Sequence, residues 1–262
     1  MDLIERPGRV VRRHPWEVAR ARFFIRLIER LGLSPVTDRW LDVGAGDAWF
    51  AQQLRAVLPA TTRFACWDAN YPTPLPPEWA EAFPGIEFSA ERPPGLFGGV
   101  LMLDVIEHVE DDVGFVRDVV EQSLAPDGWV LVSVPAYQAL FSSHDRALKH
   151  FRRYAPGAIA SVLRRAGLEV QARGGLFHGL LPLRGVQAVR ERYRPPAATT
   201  GIGTGTGTGI GAWEGGARLT KVVTLALETE ARGSLALAAR SLPSPPGLST
   251  WALCRRRAPG PA

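Results

Sequence analysis

The chain has 262 residues, 46% of them hydrophobic, and a formal net charge of +5. That is enough for one sizeable core and short of two full domains, and no apolar run approaches the ~20 residues that cross a bilayer. The basic surplus is nearly all arginine, scattered in groups such as Arg12-Arg13, Arg164-Arg165 and Arg255-Arg256-Arg257 without the spacing of a nucleic-acid-binding module, so no nucleic-acid partner is expected.

In chain order, residues 15–32 predict an amphipathic helix, with Pro15 early and Gly32 at its end. From residue 36 to about 170 the pattern alternates short apolar strands with helical runs, the mark of a doubly wound parallel sheet. Trp40, Leu41 and Val43 read as the first buried strand, and Gly44-Ala45-Gly46 opens a tight turn behind it. Glycines there let the backbone pass close to a nucleotide. Asp42 stands just before the turn, placed to bond the loop backbone or a ligand ammonium group. A second strand, Phe64 to Trp67, ends in Asp68-Ala69, where a carboxylate can accept both hydroxyls of a ribose. A further strand, Val100 to Leu103, ends in Asp104-Val105 and runs into Ile106-Glu107-His108-Val109. Cys66 and Cys254 are too few for a disulfide framework, and the N-terminal segment has no apolar stretch suited to a signal peptide. A cytoplasmic location is expected.

These motifs together resemble class I S-adenosylmethionine-dependent methyltransferases, in particular the subgroup related to ubiquinone and menaquinone methyltransferases. The resemblance rests on Leu41-Asp42-Val43-Gly44-Ala45-Gly46, on Leu103-Asp104-Val105-Ile106-Glu107-His108-Val109, and on Leu124-Ala125-Pro126-Asp127-Gly128 before a fifth strand, and it spans residues 36 to 175. It implies a seven-stranded, mostly parallel Rossmann-like sheet with an antiparallel edge strand. It also implies a bound S-adenosylmethionine held by Asp42, Gly44, Ala45, Gly46, Asp68, Ala69, Asp104 and Val105. The family commonly has a third glycine where this chain has Ala48, and alanine fits a close turn there at a negative backbone angle. A nicotinamide enzyme is disfavoured: Trp49 stands where a dinucleotide fingerprint needs glycine, and neither Lys149 nor Lys221 completes Tyr-x-x-x-Lys.

The resemblance implies one domain with a helical cap over residues 1–35, a cofactor-binding core over 36–175, an insertion over 176–247 and a last edge strand over 248–257. In the cap, His14, Trp16 and Arg20 are similar to residues that cover the cofactor in this subgroup, although packing alone explains Trp16 equally well. The insertion is far longer than a hairpin loop. It begins with an apolar segment, 176–193, turning into a basic helix. A Gly-Thr stretch over 199–211 follows, which reads as a linker, and then a second helix over 217–241, interrupted by Gly233. It reads either as a lid over the substrate, one able to touch a membrane surface or a greasy substrate, or as an ordinary pair of packing helices.

The chemistry-bearing residues gather in 137–154, just past the fifth strand and hence at the carboxyl end of the sheet. His144 and His150 titrate near neutrality and suit a general base, with Asp145 orienting one of them. Arg152, Arg153 and Tyr154 suit acceptor binding, or else cross-link the loop to the sheet. His108 reads as a residue bonded to its own loop. No spacing matches a metal motif, so no metal is expected. The acceptor is expected to be a small or lipid-like molecule. The alternative is a non-catalytic protein that binds the donor as a partner or regulatory subunit; the sequence leaves the oligomeric state open.

Overall fold

The computed structural model describes residues 13–33, 37–155, 157–193, 215–240 and 242–256. The 199–211 stretch lies outside them. Helix α1 spans Pro15–Arg30 and is followed by β1 (Arg39–Val43), α2 (Trp49–Arg55), β2 (Arg63–Trp67), α3 (Pro77–Ala82), β3 (Ile86–Ser89) and β4 (Phe97–Leu103). Then come α4 (Asp112–Ser123), β5 (Leu124–Pro135), α5 (Ser143–Ala147), α6 (Ala158–Arg165), β6 (Leu168–Leu176), α7 (Leu181–Tyr193), α8 (Ala217–Ala238) and β7 (Ser249–Arg256).

The strands form one seven-stranded sheet in the order β3-β2-β1-β4-β5-β7-β6. The pairs among β1 to β5 are parallel, and β7 lies antiparallel between β5 and β6. The α/β sheet read from the motifs is therefore present, with its antiparallel strand one place in from the edge. Side chains alternate across it with the period of two that strands impose. Trp40, Leu101, Trp129, Leu131, Trp251 and Leu253 face the layer holding α1 and α8. Leu41, Val43, Val100, Met102, Val130, Val132 and Cys254 face the layer holding α4 and α6. Trp40 and Trp129 meet edge to face with ring centroids 4.7 Å apart. Gly99 beneath them leaves the rings their room: a Cβ there would stand 3.1 Å from Trp129 and 3.3 Å from Trp40, and the rings would have to give by a few tenths of an ångström.

Helix α1 is set by its own start. His14 Nδ1 accepts the Trp16 N–H at 3.3 Å, and the Glu17 carboxylate accepts the His14 N–H at 3.3 Å, a reciprocal cap with Pro15 in the first turn. Phe23, Phe24, Leu27 and Ile28 bury its inner face. Helix α8 packs on α1, with Glu228 paired to Arg22 and Arg26. The expected break at Gly233 does not occur, and α8 is continuous from Ala217 to Ala238. A single exposed glycine costs a helix about 1 kcal/mol, which buried Leu227, Ala231, Ser234, Leu235 and Ala238 outweigh.

Candidate functional site

Strand order reverses direction between β1 and β4, because β2 and β3 lie to one side and β5 to the other. Crevices for ligands open at the carboxyl ends of the strands at such a reversal. A cavity of ≈ 850 Å³ lies there, toward the upper end of the range for small-molecule sites. Its lining takes Gly44 from the tip of β1, Asp68, Ala69 and Asn70 from β2, and Asp104 and Val105 from β4.

The tips are shaped by unusual backbone. Gly44 has φ +63°, and a Cβ on it would stand 2.8 Å from Val105, so both the angle and the space demand glycine. Its N–H donates to the Trp67 carbonyl at 2.7 Å. Asp104 takes φ +59° without being glycine, as do Lys149 and Phe177 at φ +60° and +66° elsewhere in the lining. Strained conformations of this kind gather at ligand sites. Ala48 has φ +54°, which corrects the negative angle expected from the sequence. The turn is left-handed at Ala48 and accommodates a methyl group there.

Asp68 ties the glycine turn down. One oxygen accepts the Gly46 N–H at 2.9 Å, and the other accepts the Asn70 N–H at 2.9 Å and its side-chain amide at 3.0 Å. Carboxylate oxygens have further lone pairs. Asp42, Ala45 and Gly46 are not part of the lining; Asp42 and Gly46 are buried and Ala45 is half-buried. Burial pushes Asp42 up to about 7, with the nearby Asp68 charge adding to the effect and Arg20 opposing it. From above, α1 presents His14, Trp16, Glu17 and Arg20 to the cavity. Arg20 pairs with Asp104 and lies over the Trp16 ring at 4.5 Å. The cap residues thus line the same cavity as the strand tips.

Lining the same cavity are His144, Lys149, His150, Arg153 and, from α7, Leu183, Arg184 and Gln187. Asp145 organises this region. One of its oxygens accepts the backbone N–H and the hydroxyl of Ser142, each at 2.9 Å. The other accepts Arg153 Nε at 2.7 Å and faces His150 Nδ1 at 3.0 Å. Burial alone would raise the Asp145 pKa. The bonds from His150, Arg153 and Ser142 outweigh it and hold the carboxyl well below the usual range. The Asp145 carboxylate orients the His150 ring through Nδ1 and leaves Nε2 on the far side of the ring from it. His144 is lowered by burial, with Asp145 opposing and Arg184 reinforcing the shift, and is neutral at pH 7.

Arg152 and Tyr154 are turned elsewhere. Arg152 pairs with Asp112 at 3.0 Å, and the Tyr154 hydroxyl donates to Asp112 at 2.8 Å and lies 3.2 Å from the Ile106 carbonyl. They join the loop to α4 and the β4 tip and leave the lining to Arg153. Sequence reasoning missed Glu107. It is fully buried, lines the cavity, and neither carboxylate oxygen has a hydrogen-bond partner in another residue. Burial pushes it up to about 8, against its own backbone N–H and the charges of Arg20 and Arg153. The only signal for it was its place beside His108 after a strand end.

The fold is a doubly wound α/β sheet with a ligand crevice where its strand order reverses. The family model of the methyltransferase domain matches residues 16–173. The chain belongs to this family of methyltransferases, which take S-adenosylmethionine as methyl donor. No curated protein sequence matches it significantly. Among solved structures, the (4+2)-cyclase SpnF is similar at 15% identity and TM-score 0.54, over 93% of this chain and 84% of that one. A chain from the complex of the Haloferax volcanii Trm112 methyltransferase activator with a protein assigned as a methyltransferase is similar at 15% identity and TM-score 0.51, over 94% of each chain. A Galdieria sulphuraria protein assigned as a sarcosine dimethylglycine methyltransferase gives 13% identity and TM-score 0.51, over 92% and 86%. These likenesses establish the fold. The donor fits the site on the chain's own features: the Gly44 opening, the Asp68 and Asn70 polar edge, and an apolar wall of Trp67, Leu103, Val105 and Phe115.

Proposed function

We propose that this enzyme methylates a small-molecule or lipid-like acceptor, seated between the strand tips and the 144–153 segment. One observation carries the reading: a single cavity joins Gly44, Asp68 and Asp104 to His144, His150 and Arg153. The donor supplies a methyl group on sulfonium for in-line transfer to a nucleophile. The chain's part is to hold acceptor and donor in one water-excluded space, which accounts for most of the rate in such transfers.

In this reading, Gly44, Asp68, Ala69, Asn70 and Val105 hold the donor, and Asp42, Ala45 and Gly46 support the turn. His144 is the base. Its lowered pKa keeps it neutral, and it lines the acceptor end of the cavity. His150, fixed by Asp145, orients the acceptor, and Arg153 and Lys149 favour a partly negative one. Arg152 and Tyr154 act at one remove, by fixing the loop. α7 acts as a lid through Leu183, Arg184 and Gln187. Its exposed Val186, Val189 and Tyr193 support contact with a greasy acceptor or a membrane surface. No helix among the described residues is long and apolar enough to cross a membrane. The Leu-Asp-Val-Ile-Glu-His-Val motif favours a relative of the ubiquinone and menaquinone methyltransferases.

Calorimetric titration with S-adenosylhomocysteine, beside Asp68→Ala, tests the donor site. Micromolar binding that weakens at least tenfold in the variant is expected, and no binding by folded wild type overturns the reading. With an acceptor found by screening, kcat/KM should stay level across neutral pH and fall with acid as His144 protonates. The turning point should lie below the ordinary histidine value of about 6.5. A His144→Asn variant that keeps the wild-type rate and profile removes the base assignment.

A further inference from the structure

Glu107, His108 and His150 meet in the cavity from two chain segments, and methyl transfer as described uses neither Glu107 nor His108. We propose that these three side chains hold one divalent transition-metal ion of the zinc class. A potential ligand atom from each lies within 4.8 Å of the other two. Donors about 2.1 Å from a tetrahedral ion stand about 3.4 Å apart, so small rotations of the rings and the carboxylate close the site.

Three features support the site independently. The Glu107 side chain is completely buried at the cavity wall, with a carboxylate oxygen within 4.8 Å of ring nitrogens of His108 and His150 and no hydrogen-bond partner in another residue. A buried carboxylate left so is costly, and an ion is among the few things that account for it. His150 is bonded through Nδ1 to Asp145, which leaves Nε2 as the ligand atom in the carboxylate–histidine–metal arrangement of zinc sites. The scaffold is also rigid. The Phe151 N–H donates to the Glu107 carbonyl at 2.8 Å, Tyr154 reaches the Ile106 carbonyl, and Arg152 donates to the Glu110 carbonyl at 2.6 Å. These bonds hold segment 106–110 against segment 150–154, with the His108 and His150 rings edge to face at 4.5 Å.

Two imidazoles and one carboxylate, with the remaining positions open to a cavity, make the ligand set of catalytic rather than structural ions. An ion there selects acceptors that present an oxygen, a hydroxyl or an enol, and makes that O–H more acidic. The proton passes to His144 as the new O–C bond forms and the donor's C–S bond breaks. A neutral thioether leaves, and nothing is oxidised or reduced. This acceptor assignment rests on the methyl-transfer reading, whereas the ion site does not.

The test uses the full chain, stripped with a chelator and titrated with zinc chloride by calorimetry and with cobalt(II) chloride by visible absorption. Wild type is run beside Glu107→Gln and His108→Ala, with circular dichroism as the check of folding. One zinc per chain at micromolar affinity or tighter is expected, weakened at least tenfold in each folded variant. Cobalt should give the intense bands of a four- or five-coordinate ion. Absence of zinc binding, equal affinity in both variants, or the pale spectrum of hydrated cobalt overturns the site. If a variant does not fold, the wild-type cobalt spectrum decides alone. Titration of the same samples with S-adenosylhomocysteine separates the two proposals. Binding of that compound without zinc overturns the ion site only, and zinc binding without it supports the ion site and overturns the donor reading.

Discussion

Ala48 is held at φ +54°, where a side chain costs about 1–2 kcal/mol relative to glycine. Its methyl is completely buried in the core, worth about 0.8 kcal/mol. Glycine would also add about 0.5–1 kcal/mol of chain entropy to overcome. The terms nearly cancel, so Ala48→Gly should change unfolding free energy by less than about 1 kcal/mol in urea denaturation. A shift beyond twice that would show that one term dominates. The glycine turn was legible in the sequence, since Gly44 and Gly46 behind an apolar strand have few other uses. The sign of the Ala48 angle was not, because alanine favours neither strain nor turn by its type. Asp42 shows the same limit. Its place before the turn was legible, and its burial was not. Because its pKa rises from an ordinary carboxylate value to about 7 on folding, the folded state binds the extra proton. Its contribution to stability is full below pH 4 and is lost as pH rises toward 7. Replacing it by Asn should flatten that decline by up to about 1.4 kcal/mol per pH unit. Urea midpoints at pH 5 and pH 8, wild type beside Asp42→Asn, check this. An unchanged pH difference would mean that Asp42 ionises normally.

Among the elements, α1 has the most to do with the site. One face fills the core and the start of the helix lines the cavity with Trp16, Glu17 and Arg20. Phe24 is fully buried there, with Phe23 at 5.3 Å and Phe50 at 6.5 Å between ring centroids. Phe24→Ala should cost about 3–5 kcal/mol in denaturant unfolding. It should also weaken S-adenosylhomocysteine several-fold, since loosening α1 moves Trp16 and Arg20. Full affinity in a destabilised variant would remove α1 from the donor site. This helix was legible because its periodicity, Pro15 and Gly32 agree. The course of α8 through Gly233 was not, because a weak local breaker lost to packing against α1. The 144–154 segment was legible as a cluster of chemistry-bearing residues. Its internal pairing was not. That Asp145 binds His150 and Arg153, while Arg152 and Tyr154 serve Asp112, depends on contacts between segments that spacing does not encode. The meeting of Glu107 with His150 was hidden for the same reason.

At the scale of the molecule, the doubly wound, mostly parallel sheet and the ligand site at its carboxyl end followed from the succession of motifs. Each strand that ends in a glycine or an acid adds one tip to the same edge of a parallel sheet. What no motif announced is that β7, after the long insertion, lies between β5 and β6 and carries Leu248 and Ser249 to the cavity. This has a consequence for the order in which a ribosome delivers the chain. Until residues 249–256 emerge, β5 and β6 have no strand between them, and Ser249 is missing from the cavity lining. The stretch that carries the glycine turn and both aspartate tips is by then already synthesised. A nascent chain therefore displays every recognisable cofactor motif before β7 has joined the sheet and completed the cavity lining.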